Sequence, residues 1–146
     1  MKKKLKSKKD KFIPVNVPKI FPQEKIYVKD CLNSAWISSE GSYVKKFENN
    51  FSKFNKRKYG IAVSSGTAAL EVALKSINLK PKDEVIIPTF SIISTALCVI
   101  KLGLKPILVD VEIDTWNMNP EEVINKISKK TKAIIITHIY GFPVDM

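Results

Sequence analysis

Apolar residues in the second half of this chain gather in short, nearly unbroken runs, and between the runs they recur every three or four positions. The runs at 59–64, 84–87, 106–110 and 132–137 are mostly aliphatic and are bounded by Gly, Pro, Ser and Lys. They predict strands buried on both faces. Helical spacing fills the gaps. Leu70, Ala73, Leu74 and Ile77 mark the inner stripe of a helix over 67–77, followed by a turn at 80–83. Pro88-Thr89-Phe90-Ser91 opens a helix running to about Lys101, which Gly103 ends. Asn119-Pro120-Glu121-Glu122 predicts an N-cap with Pro at the first helical position. Its helix turns Val123, Ile124 and Ile127 inward and sets Lys126, Lys129 and Lys130 near its negative end. Alternation of this kind predicts an α/β fold with a mainly parallel sheet covered by helices on both faces.

The first half reads differently. Residues 13–23 are punctuated by proline and extended. A helix is expected from about Glu24, with Val28, Cys31, Leu32 and Ala35 on one face, then a loop over 36–42. A second helix over 43–54 lines up Val44, Phe47, Phe51 and Phe54 opposite lysines and asparagines. The expected organisation is a basic, disordered tail at 1–11 and one α/β unit with a helical arm over 12–146.

Composition changes this picture little. The chain of 146 residues is 45% hydrophobic and 27% charged, enough for one core. No apolar run approaches the roughly 20 residues that span a bilayer, and no signal peptide is visible, so the expected compartment is the cytoplasm and no membrane partner is expected. Cys31 and Cys98 lack metal or redox spacing and sit on apolar helical faces, where a small buried hydrophobe is expected. With His138 the only histidine, no metal site is expected. The net charge of +11 is concentrated at one end: residues 1–12 hold seven lysines against one aspartate. A lysine tail without interleaved aromatics does not describe a nucleic-acid binder.

Candidate chemistry starts at Ser64-Ser65-Gly66-Thr67, where a predicted strand turns straight into a helix. Free amides at such a helix start, beside hydroxyls at the carboxyl end of a strand, suit a phosphate. A Gly-Thr helix cap gives the same pattern without a ligand. The turn is neither G-x-G-x-x-G nor G-x-x-x-x-G-K-[ST], which disfavours a dinucleotide or a nucleoside triphosphate. A small phosphate held without magnesium, such as that of a phosphorylated cofactor, remains. Residues 88–91 should border the same cleft. Asp110 reads as a loop cap, and His138 as a strand-end residue that is either structural or a site group.

Taken together, several blocks resemble the DegT/DnrJ/EryC1/StrS sugar aminotransferases, a family of pyridoxal-phosphate enzymes. They are Phe47-Glu48, Ser65-Gly66-Thr67-Ala68-Ala69-Leu70, Asp83 to Phe90, Lys105 to Asp110, Asp114-Thr115-Trp116-Asn117, Thr131-Lys132-Ala133-Ile134 and His138 to Met146. The blocks Asp114-Thr115-Trp116-Asn117 and Pro143-Val144-Asp145-Met146 look most like members acting on nucleotide-linked keto-sugars. The resemblance implies the N-terminal part of the large domain of a fold-type-I transferase. It also implies pyridoxal 5'-phosphate as cofactor, a homodimer, and amino transfer from glutamate to a keto-sugar nucleotide for surface polysaccharide synthesis. Ser65, Gly66 and Thr67 would hold the cofactor phosphate. Ile92 stands where the family usually has an aromatic residue stacked on the pyridine ring, and His138 would be a substrate-side residue. The family's Schiff-base lysine, and the aspartate facing the ring nitrogen, lie beyond Met146, so no catalytic residue is expected here and no transaminase activity from this chain alone. The resemblance leaves two rivals: a sugar dehydratase of the same fold, with histidine in place of that lysine, and a truncated paralogue that binds a phosphate ligand or a partner without turnover.

Overall fold

The computed structural model describes residues 12–146, so the basic tail expected at 1–11 lies outside the described residues. The chain divides into two compact units, with the boundary between Ala62 and Val63.

The first unit holds two helices. Helix α1, Pro22–Asn33, starts two residues before the expected Glu24 because Pro22 takes the first position and Glu24 accepts the Phe21 amide proton. Helix α2 spans Ser42–Phe54. Tyr43 joins the two: its ring packs 5.1 Å from Tyr27 and its hydroxyl donates to Asp30 at 3.0 Å. That hydrogen bond raises the Tyr43 pKa, since losing the proton would break it. The apolar stripes expected on these helices exist but are open to solvent, with Val28, Leu32, Phe47, Phe51 and Phe54 all exposed.

Residues 59–64, expected as a strand, do not form one. A strand needs a neighbour for its ladder, and this segment pairs instead with α2: Glu48 accepts the Ala62 amide at 2.8 Å. Gly60 permits the approach, because a Cβ there would sit 2.6 Å from the Glu48 carbonyl oxygen. Gly60→Ala is therefore expected to cost the first unit on the order of 1–2 kcal/mol, read as a lower urea midpoint with an unchanged slope.

The second unit carries the sheet, in the order β2-β1-β3 with both pairings parallel. Strand β1 is Glu84–Pro88, β2 is Lys105–Val109 and β3 is Thr131–Ile134. The outer strands lie close to where the aliphatic runs place them, with β3 stopping three residues early. Every residue of β1 is buried. Its side chains alternate as a pleat requires. Val85 and Ile87 pack with Leu74, Cys98, Val99 and Leu104 under helices α3, Gly66–Ser76, and α4, Ser94–Lys101. Ile86 packs the other way with Val109 and Met118, against Val123 of α5, Pro120–Lys126. Both faces of the sheet are thus covered by helices, as expected.

The details differ from the periodicity in two places. Helix α4 begins at Ser94, so residues 88–93 extend the strand end and turn rather than open the helix. In α5 only Val123 packs inward, while Ile124 and Ile127 stay exposed. The N-cap is as predicted, with the Asn119 side chain accepting from the amides of Glu121 and Glu122. Cys98 is the small buried hydrophobe expected, its thiol pushed up by burial, whereas Cys31 is only half-buried. At the amino edge of the sheet the buried Glu84 carboxylate accepts from Ser128 at 2.6 Å and pairs with Lys105 at 3.1 Å. The Ser128 hydrogen bond, with the Lys105 ammonium, holds its carboxyl below the usual range.

Candidate functional site

Parallel strands leave all their carboxyl ends on one edge, and the loops there are 89–93, 110–119 and 135–146. Open α/β sheets bind ligands outside that edge. Helix α3 starts beside it through a contact with the first residue of α4, just past the first of these loops: the Thr67 hydroxyl donates to Ser94 Oγ at 2.9 Å.

The start of α3 divides its amides between internal and outward use. Ser65, in extended conformation, accepts the Ala68 amide on its side chain and the Ala69 amide on its carbonyl. The amides of Gly66 and Thr67 have no protein acceptor, and no atom would lie within 4 Å of a Cβ added at Gly66. Two N–H groups are thus left without a protein acceptor at the positive end of an eleven-residue helix. Two hydroxyl protons adjoin them. Ser65 Oγ is used here only as an acceptor, and Ser94 Oγ, accepting from Thr67, is free to donate onward. All are donors, and a dianion needs donors.

Ile92 lies in the loop between Phe90 and Ser94 and is largely exposed, its carbonyl accepting the Thr95 amide. Ser91 shares hydrogen bonds with Thr95 at 3.1 Å and Thr137 at 3.0 Å, tying this loop to the chain leaving β3. Asp110 is the loop cap expected, accepting from the Val111 amide and the Thr89 hydroxyl.

His138 is engaged structurally. Its Nδ1 accepts the Val144 amide at 3.0 Å, closing residues 138–144 into a loop around the short helix Ile139–Gly141. A nitrogen that accepts carries no proton, so the ring is held as the Nε2–H tautomer.

The sequence reading did not single out Asn117 for a role, yet it organises this edge. Its buried side chain donates to the carbonyls of Phe142 and Pro143, at 3.3 and 3.1 Å, and accepts the Ile139 amide at 3.3 Å. The loop carrying Asn117 is closed by a bridge between Val111 and Met118. A cavity of about 380 Å³ lies between these two loops and Phe90, with Asp114, Trp116 and Tyr140 on its walls.

Lysine is absent from all three carboxyl-edge loops and from the α3 turn. Those of the second unit sit in turns, at helix ends, or in β2 and β3. No described helix is long and apolar enough to cross a membrane.

Comparison with known proteins gives the frame for this geometry. The GDP-perosamine synthase of Escherichia coli O157:H7 is 45% identical over 136 residues, 93% of this chain and 37% of that protein. A solved protein from Streptococcus pneumoniae, assigned as a sugar aminotransferase and captured in its PMP form, superposes with a TM-score of 0.82 at 32% identity, over 92% of this chain and 33% of that one. The E. coli GDP-4-keto-6-deoxy-D-mannose-3-dehydratase with bound hydrated PLP gives 0.76 at 29% identity, over 84% of this chain and 33% of that one. The chain therefore spans about a third of the length of these relatives. The model of the DegT/DnrJ/EryC1/StrS aminotransferase family matches residues 18–146, and the chain belongs to that family.

Proposed function

We propose that residues 12–146 form the phosphate-binding, amino-terminal part of a pyridoxal-phosphate (PLP) dependent nucleotide-sugar aminotransferase. Such an enzyme moves the amino group of glutamate onto a keto-sugar nucleotide. One observation carries the reading: the Gly66 and Thr67 amides stand without protein acceptors, beside two hydroxyls, at the start of α3. The donor set fits a phosphate dianion, and the site needs no cation to hold one. PLP, when bound, supplies the electron sink for amino transfer.

The chain's own residues have narrower tasks. Gly66 and Thr67 donate their amide protons to phosphate oxygens, with Ser65 and Ser94 donating from their hydroxyls. Ile92 offers an apolar wall for the cofactor ring in place of aromatic stacking. His138 positions the 138–144 loop through Nδ1, a supporting role on the substrate side. Covalent attachment of the cofactor falls to no residue of the carboxyl-edge loops, since none is a lysine. On this reading the chain by itself binds PLP without turnover.

The sequence relatives support the transaminase: three GDP-perosamine synthases are 45%, 38% and 37% identical to this chain. The exposed Phe47, Phe51 and Phe54 stripe supports the homodimer expected for the family, since a stripe of that kind is normally covered. Free thiols at Cys31 and Cys98 fit a reducing compartment, the cytoplasm.

The test compares PLP with pyridoxal in equilibrium dialysis against the full chain. Each charge-assisted hydrogen bond contributes about 1.5–3 kcal/mol, so removing the phosphate is expected to weaken binding roughly a hundredfold. Ser65→Ala and Ser94→Ala should each cost PLP about tenfold and pyridoxal nothing. Borohydride reduction should fix no pyridoxyl group on a single lysine within residues 63–146. Equal affinity for PLP and pyridoxal would refute the phosphate seat.

A further inference from the structure

We propose that His138 is a proton-operated latch: its neutral ring holds residues 142–145 closed against the carboxyl edge, and taking up a proton releases them. The inference stands on the bonds of this loop alone and holds whether or not a cofactor occupies the α3 seat.

The latch is one bond with a fixed direction. Nδ1 of His138 accepts the Val144 amide proton at 3.0 Å. A protonated imidazole carries N–H groups at both nitrogens and has no acceptor left. Proton uptake therefore sets two donors face to face where a hydrogen bond stood, and the loop gives up the Val144 amide. Closure is fully present with His138 neutral and is lost as the pH falls through its titration. Histidine is the side chain whose charge ordinarily changes between about pH 5 and 8, and this chain has only one.

The rest of the loop is fastened by groups that do not titrate in that range. The Gly141 amide donates to the His138 carbonyl at 3.0 Å and the Phe142 amide to the Ile139 carbonyl at 2.9 Å. Asn117 accepts the Ile139 amide and donates to the Phe142 and Pro143 carbonyls. Val144 follows these ties, and its amide alone in the loop relies on a titratable acceptor. Left-handed backbone at Tyr140, with φ of 49°, and at Gly141, with φ of 85°, turns the chain so that residue 144 comes back to 138.

Val144 matters for what it closes. Residues 142–145 form one side of a cavity of about 130 Å³ whose other side is Glu112, Thr115 and Met118. Val144 also shares a groove with Ile134, Ile136 and Val123 of α5. Release of its amide opens both.

The charge around the loop admits the proton. Lysine and arginine are absent from the carboxyl-edge loops. Glu112 and Asp114 come to the neighbouring cavities from loop 110–119, and Asp145 and the neutral Tyr140 from the loop itself. Helix α5 presents only the uncharged Pro120, Val123 and Ile124. An imidazolium meets no cation among these groups. His138 is exposed, so solvent delivers the proton directly.

The experiment follows amide hydrogen exchange in the full chain by NMR from about pH 5 to 8, the range in which histidine titrates. Each rate is expressed as protection over the unstructured rate at the same pH, which removes the intrinsic rise with hydroxide. The His138 ring is titrated in the same samples. Val144 protection is expected to fall roughly tenfold as the ring takes up its proton, the worth of one hydrogen bond. Ile139, held by Asn117, and Ile135, held by the Ile86 carbonyl, should keep theirs within about twofold. His138→Asn sets an acceptor oxygen close to the place of Nδ1 and cannot titrate, so Val144 should stay protected at both ends of the range. His138→Ala should leave Val144 unprotected at every pH while Ile135 is unaffected. Val144 protection that is constant across the His138 titration, a fall that survives His138→Asn, or an unprotected Val144 with the ring neutral would each overturn the proposal.

Discussion

Ile87→Ala is expected to remove about 3–4 kcal/mol from the stability of the Val63–Met146 unit and to loosen the proposed phosphate seat with it. Ile87 is only 1% exposed on the central strand and packs among Leu74, Cys98 and Val99. Truncating an isoleucine so fully enclosed loses its transfer free energy and leaves a cavity that close-packed neighbours fill only in part. A unit this small has a stability near the low end of 5–15 kcal/mol, so about half of it goes.

The functional consequence follows from which face is damaged. Leu74 belongs to α3, and Cys98 and Val99 to α4, the two helices whose first turns meet at Thr67 and Ser94. Slackness under them spreads the donors that are proposed to converge on phosphate. Ile86→Ala offers the control. It should cost similar stability on the opposite face, against Val109 and Met118, while leaving PLP affinity within about twofold. Urea unfolding supplies the stabilities, and PLP dialysis at low denaturant the affinities. Equal losses of PLP affinity in both variants would contradict the coupling.

What could be read in advance from the chain was whatever depends on neighbours in sequence. The Glu84–Ile87 run, hemmed between Pro81 and Pro88, is a central strand because its aliphatic side chains need cover on both faces. Asn119-Pro120 caps α5 through contacts only two and three residues long. The Ser65 cap and the open Gly66 amide are of the same local kind. The misses share a cause. Residues 59–64 have strand composition, but strand formation depends on a ladder partner, and Glu48, fourteen residues from Ala62, takes the amide instead. Ser94 reaches the start of α3, through Thr67, from 27 residues away. The left-handed backbone at Trp116 and Tyr140 leaves no trace in residue type, since neither is a glycine or an asparagine.

Asn117→Ala is expected to cost roughly 2–4 kcal/mol and to abolish the carboxyl-edge cavity, an effect out of proportion to the size of the side chain. Its amide is 4% exposed and serves three backbone groups, Ile139 N–H and the carbonyls of Phe142 and Pro143. Alanine leaves these without their partner, and a buried polar group without one costs about 1–3 kcal/mol. The bonds span from 22 to 26 residues, so nothing local replaces them. With them goes the tie between the loop bearing Asp114 and Trp116 and the loop bearing Tyr140 and Phe142, the two walls of the cavity. Hydrogen exchange should show faster opening of the amides at 139 and 144, the second being the one His138 holds, while the amides of β1 keep their protection. Phosphate-dependent PLP binding should persist, because the proposed α3 seat stands on other contacts. Asn117→Asp, which keeps the acceptor for Ile139 but sets a carboxylate against two carbonyl oxygens, should be as damaging as alanine or worse. Were the aspartate variant to keep the amides at 139 and 144 protected, the two donated bonds could not be what holds the walls together.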